Sequence, residues 1–360
     1  MMSPRAIRVL YRVHKWCGLV GAAFVFTLCL SGCLLLFREE IDVWLQPARK
    51  VEVLAHRLPL QQLLAAVPGE TVTGLTFYPQ HPDYALTLYL GAPSYRQLFI
   101  DPYTAQVMGE PSPESFMALV RRIHIRLLLP NPAGKLLVGF FGLLLLLSTF
   151  SGLAIYSAFR KGNTEGAVRG AWQLRVSDAH KAIAIQSALF HLMMALTGIL
   201  LVGYSFLPRS TPLPVPGFSS TATPISPDEA LAHATKISQP TGLIFPTAKS
   251  FRYVVYGNSG AFLAQDSSAF EVISAADGAP LDSYMPGLHP LHISQGLHFG
   301  NYGSLALRIF YAFFGLCACA LTWSGAYLSW LKRRHRNAAA SPLPHRSVSG
   351  SPAKPDGTSR

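Results

Sequence analysis

The sequence predicts an integral membrane, α-helical protein: a four-transmembrane-helix bundle of two tandem repeats, with two small α+β domains outside the membrane. Three observations predict it. Four apolar stretches are each long enough to cross a hydrocarbon core of about 30 Å at about 1.5 Å per residue. Basic residues concentrate in the short segments that flank these stretches. Histidines and Ser-Gly or Thr-Gly pairs recur with an offset of about half the chain.

The elements follow in order. Residues 1–15 form a basic leader, and 16–37 an uncharged first span. Leu30-Ser31-Gly32-Cys33 within it resembles a lipoprotein cleavage box. Comparable pairs stand in every span, however, at Ser151-Gly152, Thr197-Gly198 and Ser324-Gly325. The shared pattern reads as small residues that let helices, or a flat ligand, approach closely. Residues 38–133 form the first external domain, with a helix in LPLQQLLAAV, strands in TVTGLTFY, YALTLYL and RQLFID, and a turn in DPYTAQ. The second span is 134–158, a basic loop covers 159–181, and the third span is 182–207. Residues 208–304 form the second external domain: a Pro-rich linker over 208–227, a capped helix in SPDEALAHATKI, strands in FRYVVYG, GAFLAQD and AFEVIS, and a turn in AADG. The fourth span is 305–331, and 332–360 reads as a disordered basic tail.

Charge orients the chain. Sixteen of the 30 Lys/Arg lie in 1–15, 157–181 and 332–360, which places these on the cytoplasmic side. The two long segments hold 12 Lys/Arg against 15 Asp/Glu and belong outside. The net charge of +12 is thus a topology signal, not a mark of nucleic-acid binding. All five cysteines fall in the spans, so no disulfide framework is implied.

The histidines carry the chemistry. His14 lies 18 residues before Gly32, and His180 lies 18 before Gly198; His124 lies 28 before Gly152, and His298 lies 27 before Gly325. Repeats related by an axis along the membrane normal bring equivalents together, so His14 should meet His180 at the cytoplasmic edge and His124 should meet His298 at the external edge. Two such pairs on a helix bundle suggest axial ligation of two haems, each needing two imidazole nitrogens about 4 Å apart. Lys135 and Arg308 outside, and Arg12 and Lys15 inside, are candidate partners for haem propionates, or interfacial cations. His191, eleven residues after His180, reads three ways: an alternative ligand, a supporting residue, or a buried histidine bonded to a helix carbonyl. Its repeat counterpart is Val25. His289, His292 and His298 keep a separate external metal site open. The segment PNPAG interrupts the helix after His124 and lets RRIHIRLLL fold back over the bundle.

His14-x-Trp16-x-Gly18, Asp178-x-His180 with Ala195-Leu196-Thr197-Gly198, Leu297-His298-x-Gly300 and the Ser-Gly helix ends together resemble the PepSY-associated transmembrane proteins, over about residues 5–335. That family includes inner-membrane ferric-siderophore reductases of the ferrioxamine type. The resemblance implies PepSY-like periplasmic domains and two b-type haems. It also implies an oxidoreductase that passes electrons outward to ferric siderophore, releasing iron during uptake, in a bacterial inner membrane with both termini cytoplasmic. The chain carries no GxGxxG after a strand. Electrons must therefore come from quinol or from a membrane or cytoplasmic reductase. Two rival readings are a PepSY-type regulatory or interaction protein without a redox centre, and a siderophore permease component. For docking, Arg121, Arg122 and Arg126 are the basic groups closest in sequence to the outer haem, with Phe299 and Tyr302 available to stack.

Overall fold

The computed structural model describes residues 2–92, 95–112, 115–159, 171–207, 223–247, 250–258, 269–285, 290–300 and 304–340. Outside them fall most of the Pro-rich linker, the expected strand in GAFLAQD, His289, Tyr302 and the end of the tail.

Helix α1 (Pro4–Leu35) begins well before the apolar run because Ser3 caps it: its hydroxyl accepts from the Ala6 N–H at 3.2 Å, and Pro4 occupies the first turn. His14 is therefore a helical residue. A short helix α2 (Arg38–Leu45) and a 3-10 turn (Pro47–Arg49) lead into α3 (Leu60–Ala65) and strands β1 (Val72–Thr76), β2 (Leu86–Leu90), β3 (Gln97–Ile100) and β4 (Val107–Gly109). Then come α4 (Phe116–Arg126), α5 (Ala133–Phe159) and α6 (Ala171–Tyr204). The second half continues with α7 (Pro227–His233), β5 (Gln239–Ile244), β6 (Arg252–Asn258), β7 (Ala269–Ser274), β8 (Pro280–Tyr284), α8 (Pro290–Phe299) and α9 (Leu305–Ala340).

Helices α1, α5, α6 and α9 are long and apolar enough to cross a membrane. Helix α1 packs on α5 and α9, and α6 packs on the same two, so α1 and α6 face each other across the diagonal. Side chains such as Val20, Phe140, Leu189 and Phe313 point out of the bundle, as lipid-facing residues do. Helix α9 runs to Ala340, nine residues past the expected span. Part of the expected tail is thus helix, because Leu, Lys, Arg and Ala after Trp330 all favour it.

The segments expected outside the membrane do not form two separate domains. Their strands form one eight-stranded antiparallel sheet in the order β4-β3-β2-β1-β5-β6-β7-β8. The two four-stranded meanders join where β1 pairs with β5, Leu75 opposite Leu243. A shared core on one face, including Leu63, Leu88, Ile100, Leu243, Val255 and Ile273, packs beneath α3 and α7. Asp228 on α7 accepts from the Leu60 N–H at 2.9 Å and the Gln61 N–H at 3.3 Å, so the second half caps a helix of the first. Alternation puts Tyr89, Tyr256 and Tyr284 on the opposite face.

Helix α4 is capped by Ser115 and stopped by left-handed Leu127 (φ 50°) and Leu128 (φ 63°), just before Pro130. It folds back against α1 and α5, as α8 does against α6.

Candidate functional site

The four histidines come together as two pairs. His14 on α1 and His180 on α6 have ring centres 6.3 Å apart with planes at 81°. His124 on α4 and His298 on α8 are also 6.3 Å apart, at 48°. Each pair takes one histidine from each half. Along α1, 18 residues separate His14 from Gly32, the residue against which His124 lies, which corresponds to about 27 Å at 1.5 Å per residue.

Each ring rests on the small-residue pair of a neighbouring helix. A Cβ on Gly152 would stand 3.0 Å from His14 Cε1, and one on Gly32 would stand 3.1 Å from His124 Cε1. The corresponding distances are 3.1 Å for Gly198 against His298 and 3.5 Å for Gly325 against His180. At Gly152, Gly32 and Gly198 a methyl would crowd the ring, whereas at Gly325 it would make an ordinary contact. Within each half the seats are exchanged: the first histidine lies on the second glycine, and the second histidine on the first.

The same helices fix the protonated nitrogen. His14 Nδ1 donates to the Ser148 carbonyl at 2.9 Å, and His124 Nδ1 donates to the Leu28 carbonyl at 2.9 Å. His180 Nδ1 lies 2.8 Å from Ser324 Oγ, and His298 Nδ1 3.0 Å from Thr197 Oγ1. Both hydroxyls spend their own hydrogens on carbonyls of Ala320 and Met193 one turn back, so they accept from the imidazoles. In all four rings Nδ1 thus carries a hydrogen, which leaves Nε2 as the nitrogen to ligate. Outside the spanning helices, burial pushes the His124 pKa down from 6.5; burial, and then the neighbouring His124, push His298 down to about 3. The outer pair is neutral at physiological pH, the form in which imidazole ligates metal.

Two metal–imidazole bonds of about 2.0–2.1 Å, plus about 1.1 Å from each ring centre to its nitrogen, give about 6.2–6.4 Å. Both pairs match that span. The donor set is two neutral nitrogens without carboxylate or thiolate, suited to an iron whose other four positions a porphyrin fills. Among the described residues no group of three or more His, Cys, Asp or Glu could hold a metal by itself. Of the separate external site, His289 lies outside the described residues, and His292 Nε2 is bonded to the Tyr284 hydroxyl at 2.5 Å.

A chamber of about 2570 Å³ separates the sheet from the bundle, several times a small-molecule site of about 300–1,000 Å³. Tyr89, Tyr256 and Tyr284 roof it, Arg121, Lys135 and Arg308 stand on its walls, and His124 and His298 lie in its floor with Gly32 and Gly198. Lys135 faces this space. Arg308 is already committed to Glu40 and, at 3.2 Å, to the Leu36 carbonyl. Among the other expected cations, Lys15 lies over the Trp16 ring at 5.4 Å and Arg12 is exposed. His191 has no histidine opposite it; it is 3 % exposed, and its Nε2 donates to the Phe314 carbonyl at 3.0 Å. Of its three readings the structure has the carbonyl-bonded one.

The sequence reading missed the hydroxyl half of each pair. Ser31, Thr197 and Ser324 hold a histidine as well as making room for one, and the signal was their fixed place just before the glycine. A comparison with curated proteins finds no match. A family model described as PepSY-associated TM region matches residues 11–333, taking in all four paired histidines, the spanning helices and the sheet, and the chain belongs to that family.

Proposed function

We propose that this multi-pass membrane protein carries electrons across a bacterial inner membrane through two b-type haems and reduces ferric siderophore on the external side, releasing iron during uptake. The observation that supports it most directly is the pair of 6.3 Å histidine couples, each with Nδ1 held and Nε2 free. His14 with His180 would hold the inner haem, and His124 with His298 the outer. A haem bound there supplies one-electron chemistry at an iron whose ligands do not exchange. Helix carbonyls and hydroxyls keep the imidazoles oriented, which limits reorganisation when charge arrives.

The chamber supports the external half of the reading. Its volume exceeds what one flat cofactor needs, leaving room beneath the tyrosine roof for a polar complex too large to enter the bundle. Arg121 is placed to meet such a complex. Reduction is a sound release step, because hard oxygen ligands hold ferric iron far better than ferrous. In this reading both termini are cytoplasmic, the halves are tandem repeats, and the joined meanders are two PepSY-like units. The electron donor is quinol or a membrane or cytoplasmic reductase.

The test is an absorption spectrum of the purified protein together with single His→Ala variants. His14→Ala and His180→Ala should each halve haem content, with no further loss in the double variant. His124→Ala and His298→Ala should remove the other half and abolish siderophore reduction. A wild-type protein without b-type bands, after expression with ample haem, refutes the proposal.

A further inference from the structure

We propose, resting on the di-haem reading, that His191 is a redox-linked proton acceptor: it takes a proton from the external chamber when an electron reaches the outer histidine pair, and gives it back when the electron leaves. The observation behind this is an asymmetry. Seven residues before Gly32 the chain has Val25, and seven before Gly198 it has His191; both are buried in the bundle. Packing alone is met by valine on one side, so the imidazole on the other answers a different need.

The geometry gives that imidazole one free function. Its Nε2–H is spent on the Phe314 carbonyl, which leaves Nδ1 as the basic nitrogen. The residue lines the chamber that opens toward the sheet, so solvent protons have a route to it. It lies two helical turns, about 10 Å, inward of the seat of His298. In a low-dielectric bundle an added electron is costly unless a positive charge appears nearby.

Few other groups near it could serve. Between 136 and 155, α5 brings nothing titratable. Helix α1 brings Cys29 and Cys33. Helix α9 brings Tyr311, whose hydroxyl donates to the Leu297 carbonyl, and Cys319, whose thiol faces the Phe26 carbonyl. Helix α8 brings His298 and His292, the one seated on Thr197 and the other bonded to Tyr284. Arg308 stands higher on the wall with Glu40, and Lys135 with it. The balance is one electron from the donor side and one proton from external solvent, both released on re-oxidation by the external acceptor.

The test is a reductive titration of the haem-loaded protein, followed by absorption at several pH values, with the two steps assigned from the spectrum of His298→Ala. In the wild type, each tenfold fall in proton concentration should lower the outer midpoint by up to about 59 mV, and the inner midpoint should stay nearly fixed. His191→Gln, which retains a donor for Phe314, and His191→Leu should each keep both haems and lose the outer slope. A slope that survives in His191→Gln overturns the role of His191 while leaving the haems in place. Haem-free wild-type protein overturns the parent reading instead.

Discussion

Gly152→Ala and Gly325→Ala make the same chemical change at equivalent seats and should have unequal effects. At position 152 the new methyl would stand 3.0 Å from Cε1 and 3.1 Å from Nδ1 of His14. Ordinary carbon contacts lie at about 3.5–4.0 Å, so the ring must retreat by about 0.5 Å. That retreat stretches the 2.9 Å bond to the Ser148 carbonyl to roughly 3.4 Å, beyond the usual limit of about 3.2 Å. It also exceeds the tolerance of about 0.2 Å expected of a metal ligand. At position 325 the methyl would meet His180 Cε1 at 3.5 Å, already an ordinary contact. Haem per protein, read from the absorption ratio, should therefore fall by about half in Gly152→Ala and stay whole in Gly325→Ala. Overpacking at 152 should also cost about 1–3 kcal/mol in thermal unfolding. Equal haem content and equal melting in the two variants would refute the seat argument.

Asp228→Ala removes the side chain through which α7 caps α3, and should cost about 1 kcal/mol in thermal unfolding of the external part; an unchanged transition would mean that the two halves hold together without this cap. Arg308→Gln and Glu40→Gln should be less than additive, with a coupling of about 0.5–1 kcal/mol in a double-mutant cycle, since each loses the same half-exposed pair. Glu229 accepts from the Ser226 backbone N–H and then its hydroxyl, which holds its pKa below the usual 4.5. A lowered carboxyl contributes stability above its unfolded pKa and loses it as pH falls through the folded value. Protection of the Ser226 amide against exchange, taken relative to its intrinsic rate at each pH, should accordingly fall in that acidic window and hold steady between pH 6 and 8.

The spans were legible because runs such as LLVGFFGLLLLLSTF admit no other reading, and the histidine pairs because their spacing repeats. The sheet was legible only in pieces. Strand β5 was not among the expected strands; it forms in QPTGLI because an irregularity between Pro240 and Gly242 absorbs the residue that cannot donate, and the rest pairs on both sides. That β1 lies against β5 is a contact between residues about 170 apart, invisible to any local pattern. The exchanged seats escaped for a similar reason: counting from His14 to Gly32 finds the repeat, yet the contact of His14 is with Gly152 on another helix. The pairing of Arg308 with Glu40, 268 residues away, was invisible in the sequence for the same reason.

The join between β1 and β5 has a consequence for assembly. Residues 1–159 alone would carry one histidine of each couple, and would end in a bare strand edge where the second meander should begin. Such a fragment could complete itself only by meeting a second copy, edge to edge through β1, so that both couples form at the dimer contact at once. Conversely, because both halves are tethered in one polypeptide here, residues placed alike before Gly32 and Gly198 are free to differ, as Val25 and His191 do. A symmetric dimer of halves could not place a single imidazole off its own axis.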